Sequence, residues 1–182
     1  MQPLEVERLF VGIPITERTR VTLERQLPSK LPGRPGPSEN WHFTLRFLGA
    51  TANHQRDRFI EDLRRKSFGD PFDIEFDMLG AFPNPRRARI LWAGVGFGHE
   101  RLESIASKVE GSARAAGFDP EPRKFTAHLT LSRLRPPESV AHLLATARPI
   151  DAKMRVNEVI LYRSELGGTH SRYTIVEAFS LD

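Results

Sequence analysis

His42-Phe43-Thr44-Leu45 recurs 86 residues later as His128-Leu129-Thr130-Leu131, and the reading of this pair decides the fold. Each copy follows a Pro-containing loop and lies in a strand-like run, Trp41 to Leu48 for the first and about Phe125 to Arg133 for the second. Successive side chains of a strand alternate between its faces. His and Thr at i and i+2 therefore share one side, while Phe43 and Leu45, or Leu129 and Leu131, point into a core. Two such strands can face each other across a cleft, each offering an imidazole and a hydroxyl.

Working outward from the first copy, Arg8 to Ile15 reads as a strand, with Leu9, Val11 and Ile13 alternating. Thr16 can cap a helix through about Leu27, and the Pro-rich stretch Pro28 to Asn40 reads as a loop of the kind that borders binding sites. The first motif strand is expected to end at Gly49. Asn53 to Lys66 carries Phe59, Ile60 and Leu63 on one helical face. Phe72 to Asp77 and Arg89 to Phe97 read as strands, separated by the turn-rich Pro83 to Arg87. Glu100 to Ala116 is a second amphipathic helix with Gly117 as its stop. Beyond the second motif, Ser139 to Ala147 is a short helix, and Met154 to Tyr162 with Arg172 to Phe179 reads as a closing hairpin around Gly167 and Gly168. Hairpins mixed with helix crossovers predict an α+β fold with antiparallel sheets rather than a doubly wound parallel sheet. No linker is long enough to separate independent domains, so a single domain over residues 1–182 is expected.

Composition narrows the chemistry. With 182 residues and no cysteine, the chain can bury a core without staples and offers no disulfide, thiolate nucleophile or Cys-ligated metal. No apolar run approaches the ~20 residues of a membrane span. The first residues carry Glu5 and Glu7 where a signal peptide would be basic. A cytoplasmic protein with no membrane partner is the expectation. The net charge is +4, and of 27 cationic residues 22 are Arg, whose planar fork suits phosphate; a bias in codon usage accounts for the same excess.

Two imidazoles with ordinary pKa values near ~6.5 can be held one neutral and one protonated, supplying a general base and a general acid together. In-line displacement at phosphorus uses that pair, and two Thr hydroxyls can donate to non-bridging phosphate oxygens where charge develops. No metal or cofactor is needed. A catalytic zinc is another reading of His42 and His128, but it needs a further ligand, and neither tetrapeptide contains a carboxylate. The chain has no G-x-S-x-G elbow, P-loop or Rossmann glycine fingerprint.

The paired motifs, extended by Phe47-Leu48-Gly49 and by Ser132-Arg133, together with Leu161 to Leu166, Arg8 to Val11 and Arg89 to Val95, resemble the two-histidine phosphoesterases. Within them the chain is most similar to the RNA 2′,3′-cyclic phosphodiesterases, also called 2′-5′ RNA ligases. The resemblance implies a bilobal, pseudo-duplicated fold, with two antiparallel sheets and flanking helices around a central cleft and one motif from each lobe. It implies hydrolysis of a terminal 2′,3′-cyclic phosphate on RNA to a 2′-phosphomonoester, with ATP-independent 2′-5′ ligation as the reverse-type reaction. It assigns His42 as proton donor, His128 as proton acceptor, and Thr44 and Thr130 to the phosphate; nothing in the tetrapeptides themselves distinguishes the two histidines. The partners it implies are RNA ends carrying the cyclic phosphate, met by a monomer.

Arg133 completes the candidate phosphate site on one condition. It lies five positions beyond His128, where strict alternation puts it on the opposite face, so the strand must twist or end at Ser132. Arg86, Arg87 and Arg89 are candidates for the RNA backbone. Phe47, Trp92 and Tyr162 are candidates for stacking a base, with core packing the expectation for Phe47 and Trp92. His54, His99, His142 and His170 lack the motif and are expected at the surface. Competing functions on the same fold are an RNA-binding module without catalysis and a phosphodiesterase for small cyclic nucleotides. A bell-shaped pH dependence of kcat/KM is expected of the catalytic readings.

Overall fold

The computed structural model describes residues 6–168 and 170–182. In chain order it contains β1 (Val6–Pro14), α1 (Glu17–Gln26), β2 (Arg34–Pro35), β3 (His42–Ala52), α2 (Asn53–Arg64), β4 (Phe72–Phe82), β5 (Ala88–Val95), α3 (His99–Ala115), β6 (His128–Glu138), α4 (Ala141–Thr146), β7 (Ala152–Val156), β8 (Glu158–Glu165) and β9 (Arg172–Ser180). The fold is α+β, and every strand pairing is antiparallel.

The strands follow the order β7-β4-β5-β6-β3-β1-β8-β9, with β2 beside β6. This path divides into two arms, β3-β1-β8-β9 and β7-β4-β5-β6, which meet at one residue pair, Phe43 with Leu129. The two sheets are these arms, joined edge to edge at the two motif strands. One core serves both: Val11, Ile13, Phe43, Leu129, Ile74 and Leu161 bury their side chains together with Leu23 of α1, Phe59 of α2 and Leu102 of α3. Phe43 and Leu129 are completely buried, and truncating either to Ala costs about 2–5 kcal/mol. No helix among the described residues is long and apolar enough to cross a membrane.

Local signals set the helix ends. The Thr16 hydroxyl accepts the Thr19 N–H at the start of α1. Gly117, at φ +88°, stops α3 as its sequence predicts, with the Phe118 N–H returning to the Ala113 carbonyl at 3.0 Å.

Several boundaries differ from expectation for identifiable reasons. The first motif strand does not end at Gly49 but continues to Ala52. Gly49 sits at φ +69°, and the register steps there from Phe10–Phe47 to Leu9–Gly49, so the glycine marks a bulge. The second motif strand begins at His128 rather than Phe125, because the Thr126 carbonyl is engaged by a side chain instead of a ladder. Met154 to Tyr162 is two strands split at Asn157, since β7 pairs with β4 in one arm and β8 with β1 and β9 in the other. That one-residue link draws the far ends of the path together and curls the sheet about its core. The Pro-rich loop is pinned: Gly33, at φ +74°, packs where a Cβ would lie 2.6 Å from the Arg133 carbonyl oxygen, and Arg34 pairs with Arg133.

Candidate active site

The meeting point of the arms assembles the motif side chains. Because β3 and β6 are antiparallel and Phe43 pairs with Leu129, one step to either side puts His42 opposite Thr130 and Thr44 opposite His128. Directly opposed residues have Cβ atoms about 4.5–5.5 Å apart. Phe43 and Leu129 point into the core, so the four polar side chains share the other face, all half-buried. Each imidazole lies opposite the hydroxyl of the other lobe.

Both imidazoles are held the same way. His42 donates from Nδ1 to the Asn40 carbonyl at 2.7 Å, and His128 from Nδ1 to the Thr126 carbonyl at 2.7 Å. A carbonyl two residues upstream thus fixes each tautomer and leaves Nε2 to accept a proton when neutral or give one when charged. His42 Nε2 lies 3.0 Å from Thr44 Oγ1. Burial holds both imidazoles below the ordinary histidine value; the positive charge of Arg133 lowers both further, and that of His128 lowers His42, against the opposing pull of the two carbonyls.

Their surroundings differ. Phe10 lies 4.8 Å from the His42 ring, Tyr173 meets it edge-on at 5.3 Å, and Tyr162 is 6.3 Å away. Gly12 makes the room, since a Cβ there would lie 3.3 Å from His42 Cδ2 and 2.8 Å from the Phe43 carbonyl oxygen. Burial pushes the Tyr162 hydroxyl up to about 12, which keeps it a neutral phenol. His128 is less deeply set, with Phe82 edge-on at 5.1 Å and Trp92 at 6.2 Å.

A backbone irregularity brings Arg133 to this face. On β6, Thr130 pairs with Trp92 and Ser132 with Leu91, so Leu131 is an extra residue bulged from the ladder. The bulge inverts the alternation, and Arg133 emerges beside His128 and Thr130. The same bulge occurs in β3, where Thr44 pairs with Gly12, Arg46 with Val11, and Leu45 is the extra residue. Phe47 is then the counterpart of Arg133 and faces the cleft with 57% of its surface exposed, not the core as its apolar character predicts. Thr44, Phe47, His128, Thr130 and Arg133 line a cleft of about 1050 Å³.

Trp92 also departs from expectation: it is half-buried against Phe82 and stands outside the core. Tyr162 stacks on Phe10 at 5.0 Å, beneath His42. Arg86 and Arg87 lie on an exposed turn, whereas Arg89 lines the cleft. His54, His142 and His170 are exposed, and His99 is half-buried, donating to the Gly96 carbonyl at 2.7 Å. Among the described residues no group of three or more His, Asp or Glu side chains converges as a metal site would.

Sequence reasoning missed the supports. Asn40 and Thr126 act through carbonyls, which carry no residue signature. Arg46, with a side chain only 10% exposed, holds Glu110 of α3 at 2.7 Å and Glu121 at 3.0 Å and donates to the Asp119 carbonyl. It thereby pins the segment that presents Thr126 to His128. A charged residue between the apolar Leu45 and Phe47 of the motif strand was the available hint.

Comparison with known proteins identifies the family. The family model described as LigT like phosphoesterase matches residues 15–92 and again 98–173, one histidine–threonine pair in each. An RNA 2′,3′-cyclic phosphodiesterase of Aquifex aeolicus is 31% identical over 186 residues, covering 98% of this chain and 99% of that protein. One of Methanothermobacter thermautotrophicus is 35% identical over 148 residues, 79% of each chain. A crystal structure of a phosphoesterase superposes with a TM-score of 0.84 at 26% identity, covering 97% of this chain and 99% of that one. The doubled motif, the two arms that present it and these matches lead to one statement: the chain belongs to the LigT like phosphoesterase family.

Proposed function

We propose that the protein hydrolyses the 2′,3′-cyclic phosphodiester at the 3′ end of RNA to a 2′-phosphomonoester, without metal or nucleotide cofactor. The observation that carries this reading is the opposed His–Thr, Thr–His quartet on one face of the joined motif strands, with each Nε2 left unengaged by backbone. Full-length similarity to proteins named RNA 2′,3′-cyclic phosphodiesterase supports the substrate.

In this mechanism His128 Nε2 accepts a proton from water as the water oxygen attacks phosphorus. The bond from phosphorus to the 3′ oxygen breaks on the far side, and His42 Nε2–H gives its proton to that oxygen, leaving a 3′-hydroxyl and a 2′-phosphate. Each transfer is worth about 10²–10⁴-fold. Thr44 and Thr130 donate hydrogen bonds to the non-bridging oxygens, and Arg133 supplies positive charge where negative charge grows. The bound anion favours the imidazolium form of His42, which burial opposes in the empty site. The aromatic rings of Phe10, Tyr162 and Tyr173 around His42 also suit a cation. A 5′-hydroxyl in place of water gives a 2′-5′ linkage by the same transfers.

The test is a short RNA ending in a 2′,3′-cyclic phosphate, incubated in excess EDTA with wild type, His42→Ala and His128→Ala, the terminal phosphate being mapped. The expected result is a 2′-phosphate made by wild type, with each variant at least ~10²-fold slower. A wild type inert on this RNA overturns the reading, and turnover of small cyclic nucleotides alone redirects it to that class.

A further inference from the structure

The cleft is larger and more charged than a terminal cyclic phosphate requires. Its volume of about 1050 Å³ exceeds the roughly 300–1,000 Å³ of sites for single drug-sized ligands, and of the His–Thr quartet only Thr44, His128 and Thr130 line it. Besides those motif residues, the wall carries Arg89 from β5, Arg123 and Lys124 from the segment before β6, and Phe47. Arg89, Arg123 and Lys124 are exposed, and among the described residues none has a carboxylate within ion-pair distance.

The acidic residues of the same wall are mostly committed elsewhere. Glu110 and Glu121 are both held by Arg46, at 2.7 and 3.0 Å, and Glu110 also accepts the Glu121 N–H at 3.1 Å. That clasp fixes the segment carrying Arg123 and Lys124 and offsets part of the nearby negative charge, one guanidinium against two carboxylates. Free cations beside an exposed aromatic ring form the arrangement that tracks a single-stranded backbone and stacks its bases.

Resting on the phosphodiesterase reading, we propose that Arg89, Arg123 and Lys124 form a subsite for the phosphodiesters 5′ to the cyclic phosphate, with Phe47 as the surface on which a base lies. The substrate is then an oligonucleotide, and a mononucleoside cyclic phosphate fills only the catalytic end. The cations act on every sequence alike, because phosphate contacts position the strand and carry no base information.

The experiment compares kcat/KM for a mononucleoside 2′,3′-cyclic phosphate with that for a six-nucleotide RNA of the same terminus. It uses wild type, Arg123→Ala/Lys124→Ala, and the charge-preserving swap Arg123→Lys/Lys124→Arg, across a salt series. Wild type is expected to favour the hexamer by at least about tenfold. The double alanine variant should bring the ratio close to 1 and reduce the salt slope by about 1.4, since single strands give about 0.7 per phosphate contact; the charge-preserving swap should restore both. A wild type that treats the two substrates alike, or an alanine variant that keeps the hexamer preference and salt slope, overturns the subsite alone. A wild type inert on both substrates overturns the phosphodiesterase reading, and the subsite with it.

Discussion

The lobe that carries His42 and the lobe that carries His128 use the same four-residue motif, the same upstream carbonyl clamp at 2.7 Å and the same bulge one residue after the threonine. They differ in what surrounds that frame. Opposite Thr44 the neighbouring strand has Gly12, and opposite Thr130 it has Trp92. Five residues after each histidine stand Phe47 and Arg133. The frame places matched imidazoles; the substitutions around it make one end aromatic and enclosed, the other charged and open. A duplicated fold thereby sets two matched imidazoles in different surroundings.

Breaking this difference at Arg133 has the largest expected effect. Arg133→Ala removes a cation that lowers both imidazoles, and it should reduce kcat by about 10²–10³-fold, as loss of one donor at a developing oxyanion does. Without that positive charge each imidazolium costs less, so both histidine pKa values rise and both limbs of the pH–rate bell move to higher pH. Limbs that stay in place, read by pH–rate profiles or by NMR titration, would mean that Arg133 does not face the pair.

A smaller effect is expected at Gly12. In Gly12→Ala the new Cβ meets the Phe43 carbonyl oxygen at 2.8 Å and His42 Cδ2 at 3.3 Å. Backbone must give way, at a cost of about 1–3 kcal/mol, and His42 moves with it, lowering kcat about tenfold. Thermal unfolding and single-turnover rates measure the two parts. An unchanged Tm together with an unchanged rate would show that the His42 pocket has slack.

The comparison also explains what could be read from residues alone. The histidine–threonine duplication, the apolar residues between them and the strand–helix order around β1, α1 and β3 are side-chain patterns, and they were legible. The bulges at Leu45 and Leu131 were not, because an extra residue in a ladder depends on the pairing strand and neither leucine announces it. That single feature turns Phe47 to the cleft against its apolar character and left Arg133 conditional, since strict alternation sends Arg133 to the opposite face. Met154 to Tyr162 read as one strand for a similar reason: local β character says nothing of Asn157, where the chain leaves one arm for the other.

The central claim is that two histidines in identical motifs do opposite proton work, and a change of leaving group tests it most directly. In a substrate whose departing 3′ oxygen is replaced by sulfur, the leaving thiolate has a conjugate acid near pKa ~8.5 and needs no proton donor. With that substrate His42→Ala should recover to within about tenfold of wild type, while His128→Ala keeps its full defect because water still needs a base. Recovery of His128→Ala in place of His42→Ala, or of neither variant, would contradict the account.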